Sequence, residues 1–158
     1  MTAPLRVVPA AAGDAYALWL WANDAGTRAA SFGRDPIAWA DHVAWLERAL
    51  ADAAHAVLVA RSADGRPVGS IRFDTGDGWR TARLSYVVAP EARGEGRSGP
   101  MVRAGVAWVR GAHPGVAVRA RVMEANERSL RVFRRLGWRE ERAEEGVREF
   151  WSRETGVE

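Results

Sequence analysis

The chain of 158 residues is 47% hydrophobic and 27% charged, which predicts a single globular domain over residues 1–158. Because it contains no cysteine, disulfides, zinc–thiolate sites and a cysteine nucleophile are excluded, and no metal site is expected. The 23 basic residues of the lysine–arginine class are all arginine, and the net charge of +3 does not indicate a nucleic-acid-binding protein. No apolar run is long enough to span a membrane, so we expect a cytoplasmic protein.

The first 34 residues predict a strand, a helix and a loop. Residues 5–9 form a short apolar stretch typical of a strand. Residues 14–22 are apolar nearly all round and begin with a capping aspartate, so we predict a buried helix there. Residues 23–34 contain Gly26 and Gly33 and are predicted to form a loop.

The second helix has the clearest start signal. Asp35 is suited to cap it, and Pro36 then falls in its first turn, where the missing N–H costs nothing. Its apolar face is predicted from four residues at helical spacing, Trp39, Val43, Leu46 and Leu50. His42 and Trp45 lie beside this stripe.

Three strands follow, at residues 57–61, 68–73 and 82–88. The segments between them are short and contain turn-forming residues, so we predict antiparallel pairing. The remaining elements are predicted to be a helix at 98–110, a strand at 116–122, a helix at 126–136 and a last strand at 147–151. Antiparallel strands followed by a strand–helix–strand unit predict an α/β domain with a mixed sheet.

A glycine-rich loop connects the third of these strands to the next helix. Residues 93–99 read Arg-Gly-Glu-Gly-Arg-Ser-Gly. Closely spaced glycines let several backbone N–H groups point into one concavity, and the helix start adds the positive end of its dipole. This geometry binds phosphate oxygens; the alternative interpretation is a glycine-rich surface turn. A Walker A loop is excluded, because no Lys-Ser or Lys-Thr follows the glycines.

Two phosphate-bearing ligands remain for this loop. The fingerprint of a dinucleotide-binding fold is matched in form by Gly94, Gly96 and Gly99, and Glu124 would then be the ribose ligand. However, residues 89–93 separate the strand from the first glycine, and the chain offers only about one strand–helix–strand unit where that fold needs several. The other ligand is the pyrophosphate of coenzyme A.

Two segments together resemble the GNAT family of acetyltransferases. Residues 87–98 resemble its acyl-CoA-binding motif, an Arg-x-x-Gly-x-Gly/Ala loop after the fourth strand, with Ser98 where the family prefers Gly or Ala. Residues 126–138 resemble its second signature, an Asn after the fifth strand, a helix and a Gly-aromatic pair. The resemblance implies a mixed, mostly antiparallel sheet flanked by helices, whose fourth and fifth strands splay apart to admit the pantetheine arm of acetyl-CoA.

The resemblance also implies which residues bind acetyl-CoA. They are Val87, Val88, Arg93, Gly94, Glu95, Gly96, Arg97, Ser98, Gly99, Asn126, Ser129 and Phe133. Free N–H groups near residues 86–88 are expected to pair with the pantetheine and the thioester oxygen. Four arginines of the last helix are further candidates to bind the ribose phosphate of CoA: Arg128, Arg131, Arg134 and Arg135. The alternative interpretation is that they form a solvated helix face.

In this chemistry an amine attacks the thioester directly, so no protein nucleophile is needed. The reaction needs a base for the ammonium and an acid for the departing thiolate. Many family members use a tyrosine of the last helix as the acid, and Phe133 occupies the matching position here. Water, Tyr86 or Ser129 must then serve as the acid. The candidate bases are Glu124, His42 and Asp74.

The N-terminal half contains the acceptor candidates. Residues 21–24 (Trp-Ala-Asn-Asp) and the His42-x-x-Trp45 helix resemble acetyltransferases of amino-dideoxy sugar nucleotides, and ribosomal-protein N-terminal acetyltransferases share much of this pattern. We therefore expect Arg28 to pair with a phosphate and Phe32, Trp45 or Tyr86 to stack on a base or sugar, near His42. We expect the acceptor to be a small-molecule or peptide amine. We expect the protein to be a monomer or a homodimer. A fold that binds acyl-CoA without catalysis is the alternative outside the enzyme class.

Overall fold

The computed structural model describes residues 4–152, which form seven strands and five helices. The strands are β1 (Arg6–Pro9), β2 (His55–Arg61), β3 (Pro67–Asp74), β4 (Thr81–Val88), β5 (Ala117–Met123), β6 (Arg139–Glu144) and β7 (Val147–Trp151). The helices are α1 (Ala15–Asn23), α2 (Ala25–Ala30), α3 (Trp39–Ala51), α4 (Ser98–Ala112) and α5 (Glu127–Arg135). Within the described residues, no helix combines the length and apolarity needed to cross a bilayer.

The strands form one mixed sheet in the order β1-β2-β3-β4-β5-β7-β6. Neighbouring strands pair antiparallel, except that β4 and β5 run parallel. The predicted α/β class with a mixed, mostly antiparallel sheet is therefore confirmed. The single parallel pair found between residues 4 and 152 removes the dinucleotide-binding alternative, which needs several strand–helix–strand units.

The parallel strands β4 and β5 separate along their length. Their register contains three pairs, Thr81↔Ala117, Ala82↔Val118 and Arg83↔Arg119. Both strands continue past this point, to Val88 and Met123, so their facing edges lack a strand partner there. The expected splay is present, and it leaves backbone N–H and C=O groups free to pair with a ligand.

The two faces of the sheet have different neighbours. On one face, a Cβ added to Gly105 of α4 would lie 3.0 Å from Ile71 Cγ2, so we call this the α4 face. On the other face, Arg72 Cζ lies 5.3 Å from the ring centroid of Trp45 in α3, so we call this the α3 face. Residues directly paired across strands share a face. Tyr86 therefore lies on the α4 face with its partner Ile71.

The core lies mainly on the α4 face. Its largest fully buried side chains include Phe73, Phe133, Phe150, Ile71 and Met101. Phe133 of α5 stacks on Phe150 of β7 with ring centroids 5.3 Å apart, which joins the last helix to the last strand. The packing of α4 and α5 on this face fixes the two strands that border the splay.

Two predictions for the helices of the N-terminal half were wrong. α3 begins at Trp39, so Asp35 does not cap it. Residues 25–30, predicted as part of a loop, form α2, whose N-cap Asp24 accepts a hydrogen bond from the Thr27 N–H at 3.2 Å. A six-residue helix is too short to display an apolar period, which is why the sequence did not reveal it.

The buried stripe of α3 also differs from the predicted one. It consists of His42, Leu46 and Ala49, whereas Trp39 and Leu50 are 43% and 41% exposed. His42 was placed beside the stripe because a histidine is polar. Its hydrogen bond to the Ala15 carbonyl at 3.0 Å satisfies the ring and permits its burial.

Strand β6 was not predicted at all. Its sequence, Arg-Glu-Glu-Arg-Ala-Glu, has no apolar alternation, because the strand lies at the sheet edge with most side chains exposed. It pairs with β7, and Arg134 of α5 makes a bidentate contact with Glu140 at 2.7 and 2.9 Å. This segment forms a strand because it pairs with β7, and not because its own sequence shows a strand pattern.

Candidate active site

The glycine-rich loop lies where β4 leads into α4. A short 3-10 turn, Pro90–Ala92, follows β4, and α4 begins at Ser98. Gly94 and Gly96 have φ angles of +77° and +68°, which only glycine adopts readily. A Cβ added at either position would meet no heavy atom within 4 Å, apart from its chain neighbours. The loop therefore offers open backbone beside a helix N-terminus, as a phosphate site requires.

Arg97 supplies a second sign that this loop binds an anion. Its side chain is 11% exposed, and Nε donates a hydrogen bond to Glu95 Oε2 at 2.7 Å. Its Nη1 atom is buried and has no hydrogen-bond partner within residues 4–152. A buried guanidinium N–H without an acceptor is costly, so the site is suited to a ligand that brings one. The pyrophosphate of coenzyme A fits these residues.

Arg93, which opens the motif, points its guanidinium to the N-terminal half. It donates hydrogen bonds to Asp24 Oδ2 at 2.7 Å and to Thr27 Oγ1 at 3.0 Å. The pKa of the Asp24 carboxyl lies below its ordinary value, mainly because it accepts the hydrogen bond from Arg93. Arg93 therefore ties the glycine loop to the start of α2 instead of offering its charge to a phosphate.

One large cleft, of about 1390 Å³, joins the glycine loop to the α3 face of the sheet. It includes Val87 and Val88, beyond the paired segment of β4, where the facing strand edges lack a partner. Every residue expected to bind acetyl-CoA lines this cleft except Glu95. Its other end is lined by residues of α2, α3 and the segment between them, so one continuous space reaches both halves of the molecule.

Tyr86 and Ser129 meet in this cleft although they are distant in sequence. The Tyr86 hydroxyl lies 2.8 Å from Ser129 Oγ, and either oxygen can donate the hydrogen bond. Ser129 is in the first turn of α5, where its N–H donates to Asn126 Oδ1 at 3.3 Å. Burial raises the pKa of Tyr86 above its ordinary value, and hydrogen bonds with Ser129 and Ser98 offset part of this increase. The tyrosine is therefore protonated at neutral pH.

Phe133 has no hydroxyl to offer and is 1% exposed. Its ring meets Tyr86 edge-on with centroids 6.0 Å apart and packs against Trp138 at 4.9 Å. Phe133 thus forms the apolar floor beside the tyrosine hydroxyl.

The three candidate bases lie in different surroundings. Glu124 is exposed in the turn after β5 and is not among the described residues that line the cleft. Asp74 is bound to His55 Nδ1 at 2.6 Å and to Arg72 Nε at 3.0 Å. His42 lines the cleft but is 4% exposed, and burial lowers its pKa, so its ring is neutral at pH 7. No group of three or more His, Asp or Glu suited to a metal ion occurs in residues 4–152.

Arg28 is occupied by the backbone. Its guanidinium donates to the carbonyls of Ala22 at 2.6 Å and Gly33 at 2.8 Å, and it thereby holds α2 and the segment after it in place. Its expected role as a phosphate ligand is not supported by these contacts. Phe32 and Trp45 do line the cleft, and each is close to an arginine of the sheet.

The sequence analysis missed the arginines of the α3 face. Arg72, Arg83 and Arg121 come from β3, β4 and β5, and Arg48 comes from α3; all four line the cleft. Arg72 and Arg83 occupy polar positions in the alternation of their strands, which predicts that they lie on one face, and this is the signal that was available. Of the four arginines of the last helix, Arg128 and Arg135 line the cleft.

Comparisons with known proteins agree with this geometry. A family model described as an acetyltransferase (GNAT) domain matches residues 5–139. Among curated protein sequences, none matches. Spermidine N-acetyltransferase from Vibrio cholerae, solved with CoA and spermine, has a TM-score of 0.83 at 16% identity, covering 93% of this chain and 94% of that chain. A domain from Methanocaldococcus jannaschii DSM 2661 has a TM-score of 0.80 at 16% identity, covering 94% and 97%.

A dodecameric structure of the Vibrio cholerae enzyme gives a TM-score of 0.75 at 16% identity, with 93% and 92% covered. At these identities the matches show a shared fold. The two Vibrio cholerae structures are of a spermidine N-acetyltransferase, so the narrower resemblance of residues 21–45 to amino-sugar-nucleotide or ribosomal-protein acetyltransferases receives no support from them.

Proposed function

Because this chain belongs to the acetyltransferase (GNAT) domain family, and so is an acyl-CoA-dependent N-acyltransferase that transfers an acetyl group to an amine, we propose that its acceptor is a small-molecule primary amine bound on the α3 face. The carrying observation is the continuous cleft. It leads from the glycine loop, through the splay of β4 and β5, to the α3 face. Acetyl-CoA bound in the splay would present its thioester to an amine held on the far side.

The proposed reaction is a direct attack. The amine nitrogen forms a bond to the thioester carbon, the carbon–sulfur bond breaks, and the nitrogen loses a proton to solvent. Unpaired N–H groups of β4 near Val87 are suited to stabilise the oxyanion. The sulfur takes its proton from the Tyr86 hydroxyl, which Ser129 supports by donating its own hydrogen bond, and solvent then reprotonates the tyrosine.

The amine must reach the thioester as a free base. The cleft is lined by ten arginines and one carboxylate among the described residues, and a positive surrounding lowers the pKa of a nearby amine by favouring its neutral form. The arginines thus assist deprotonation without a dedicated carboxylate base. An amino sugar nucleotide is one acceptor that combines a primary amine with groups suited to this lining.

The direct test is calorimetric titration with acetyl-CoA, followed by thiol release with a panel of primary amines. We expect one acetyl-CoA site per chain and release of CoA that depends on the amine. A chain that binds acetyl-CoA and releases no thiol with any amine would be a binding module and not an enzyme. Absence of acetyl-CoA binding would contradict the proposal altogether.

Replacement of Gly96 by valine is expected to weaken acetyl-CoA binding about 10- to 100-fold, the loss of one or two charge-assisted hydrogen bonds. The φ of +68° is unfavourable for a β-branched residue, so the loop must shift and its N–H groups lose their alignment. Gly65→Val is the matched control, because Gly65 has a φ of +84° in the turn between β2 and β3, away from the cleft. Calorimetry should show unchanged affinity for that control; equal affinity for both variants would remove the loop from the site.

A further inference from the structure

The α3 face carries a set of arginines that acetyl-CoA does not explain. Arg83 lies five residues before the end of β4. It is therefore about 16 Å along the extended strand from the point where the chain turns toward the glycine loop. Arg72 is on the same face, because its neighbour Ile71 faces α4. Arg121 is also on this face, since its Cζ lies 6.0 Å from the ring centroid of Phe32 in the segment after α2. Arg48 of α3 lines the cleft opposite them.

Two of these four guanidinium groups are without an ionic partner. Arg72 is paired with Asp74 at 3.0 Å, and Arg121 is paired with Glu144. Arg48 and Arg83 form no ion pair with any residue in the described range 4–152, and both are exposed to the cleft. Unpaired arginines present planar sets of donors that match phosphate or carboxylate oxygens.

The charge of the lining disfavours a polycation, because six of its ten arginines form no ion pair within residues 4–152; the four that do are Arg72, Arg93, Arg97 and Arg121. Asp41 is the only carboxylate among the described lining residues, and it stands against ten arginines. Spermine, the ligand in the Vibrio cholerae structure, carries several positive charges, which unpaired arginines repel. A ligand of opposite sign gains from the same lining through attraction and through faster encounter.

We infer that the acceptor is an anionic amine whose phosphate group is bound by Arg48 and Arg83 on the α3 face, an inference that rests on the proposed acetyl transfer to an amine. The phosphate anchors the molecule away from the thioester, and the amine reaches toward the splay. Arg72 and Arg121, each paired with a carboxylate, form part of the cleft floor on the same face. The aromatic rings of Phe32 and Trp45 border this floor.

The first test uses inorganic pyrophosphate on protein already saturated with CoA, so that the glycine loop is filled. Calorimetry is expected to show one remaining pyrophosphate site. Arg48→Gln and Arg83→Gln should each weaken it about 10-fold or more, the loss of a charge-assisted contact. Arg139→Gln, exposed on β6 and outside the cleft lining, is the matched control and should leave the affinity unchanged. No binding to the CoA-saturated protein, or equal binding by all variants, would overturn the inference.

The second test compares glucosamine 6-phosphate, a UDP-linked amino sugar, glucosamine and spermidine as acceptors. A phosphate-bearing amine should exceed glucosamine in kcat/KM by about 10-fold or more, and spermidine should be slowest. The two phosphate-bearing amines distinguish a monophosphate from a nucleotide diphosphate. Arg83→Glu should shift the preference toward spermidine. Faster acetylation of spermidine by the wild-type protein would overturn the anionic acceptor while leaving acetyl transfer intact, and failure to bind acetyl-CoA would instead contradict the proposed function.

Discussion

Replacing Tyr86 by phenylalanine is expected to lower kcat about 100-fold, the usual contribution of a positioned general acid. The hydroxyl lies 2.8 Å from Ser129 Oγ inside the splay, and Phe133 offers no substitute. The phenylalanine keeps the edge contact with the Phe133 ring, so packing and acetyl-CoA affinity should be nearly unchanged. Steady-state kinetics with saturating amine, together with calorimetry, separate the lost chemistry from lost binding.

The chain contains a matched control for this substitution. Tyr16, the other of its two tyrosines, is 61% exposed on α1, so Tyr16→Phe makes the same chemical change away from the splay and should leave kcat unchanged. In the Tyr86→Phe background, Phe133→Tyr is expected to recover part of the rate, because it returns a hydroxyl to the position that many family members use. A Tyr86→Phe variant with wild-type kcat would show that water protonates the thiolate instead.

Replacing Gly69 by alanine is expected to destabilise the protein by about 3 kcal/mol, the upper part of the usual cost of overpacking. An added Cβ would lie 2.3 Å from the Val87 carbonyl oxygen and 2.5 Å from Met101 Cε. The methionine end is flexible, but the carbonyl belongs to β4 beside the splay, so the strand itself must move. Weaker acetyl-CoA binding should therefore accompany the lower free energy of unfolding.

Urea unfolding of two further glycine variants makes this prediction quantitative. Gly105→Ala would place a Cβ 3.0 Å from Ile71 Cγ2, a side chain that can shift, and should cost less than Gly69→Ala. Gly111→Ala, in α4 with no heavy atom within 4 Å beyond its neighbours, should stabilise by about 0.5–1 kcal/mol through helix propensity. Equal unfolding midpoints for the Gly69 and Gly111 variants would mean that β3 and β4 are not as closely packed as described.

One fold can serve different acceptors when the side chains that line its cleft differ in charge. The splay and the glycine loop of this chain are built from backbone, and the overall fold is shared with the Vibrio cholerae enzyme at 16% identity. The acceptor end is built from side chains of three strands and one helix. Its specificity can therefore change through a few substitutions, for example at Arg48 and Arg83.

Much of the proposed acetyl-CoA site could be predicted from the sequence alone. The glycine loop and the Asn126 helix are contiguous segments whose chemistry follows from local backbone geometry, so their positions could be predicted without a fold. The strands of the central sheet were also predicted, because the apolar run of β2 and the apolar alternation of β3 and β4 reflect burial. Strand β6 and helix α2 were not, since an exposed edge strand and a six-residue helix leave no such pattern.

Only the tertiary structure decided the chemistry of the two ends of the cleft. Tyr86 and Ser129 are 43 positions apart and meet because the splay of β4 and β5 places the first turn of α5 over β4. The arginines of the α3 face come from separate elements: sheet register brings Arg72, Arg83 and Arg121 to one face, and α3 contributes Arg48. Arg28 shows the converse, since a residue suited to a phosphate is occupied by nearby carbonyls. Which side chains share a cavity, and which of them remain unpaired, depends on contacts between distant segments that no local pattern encodes.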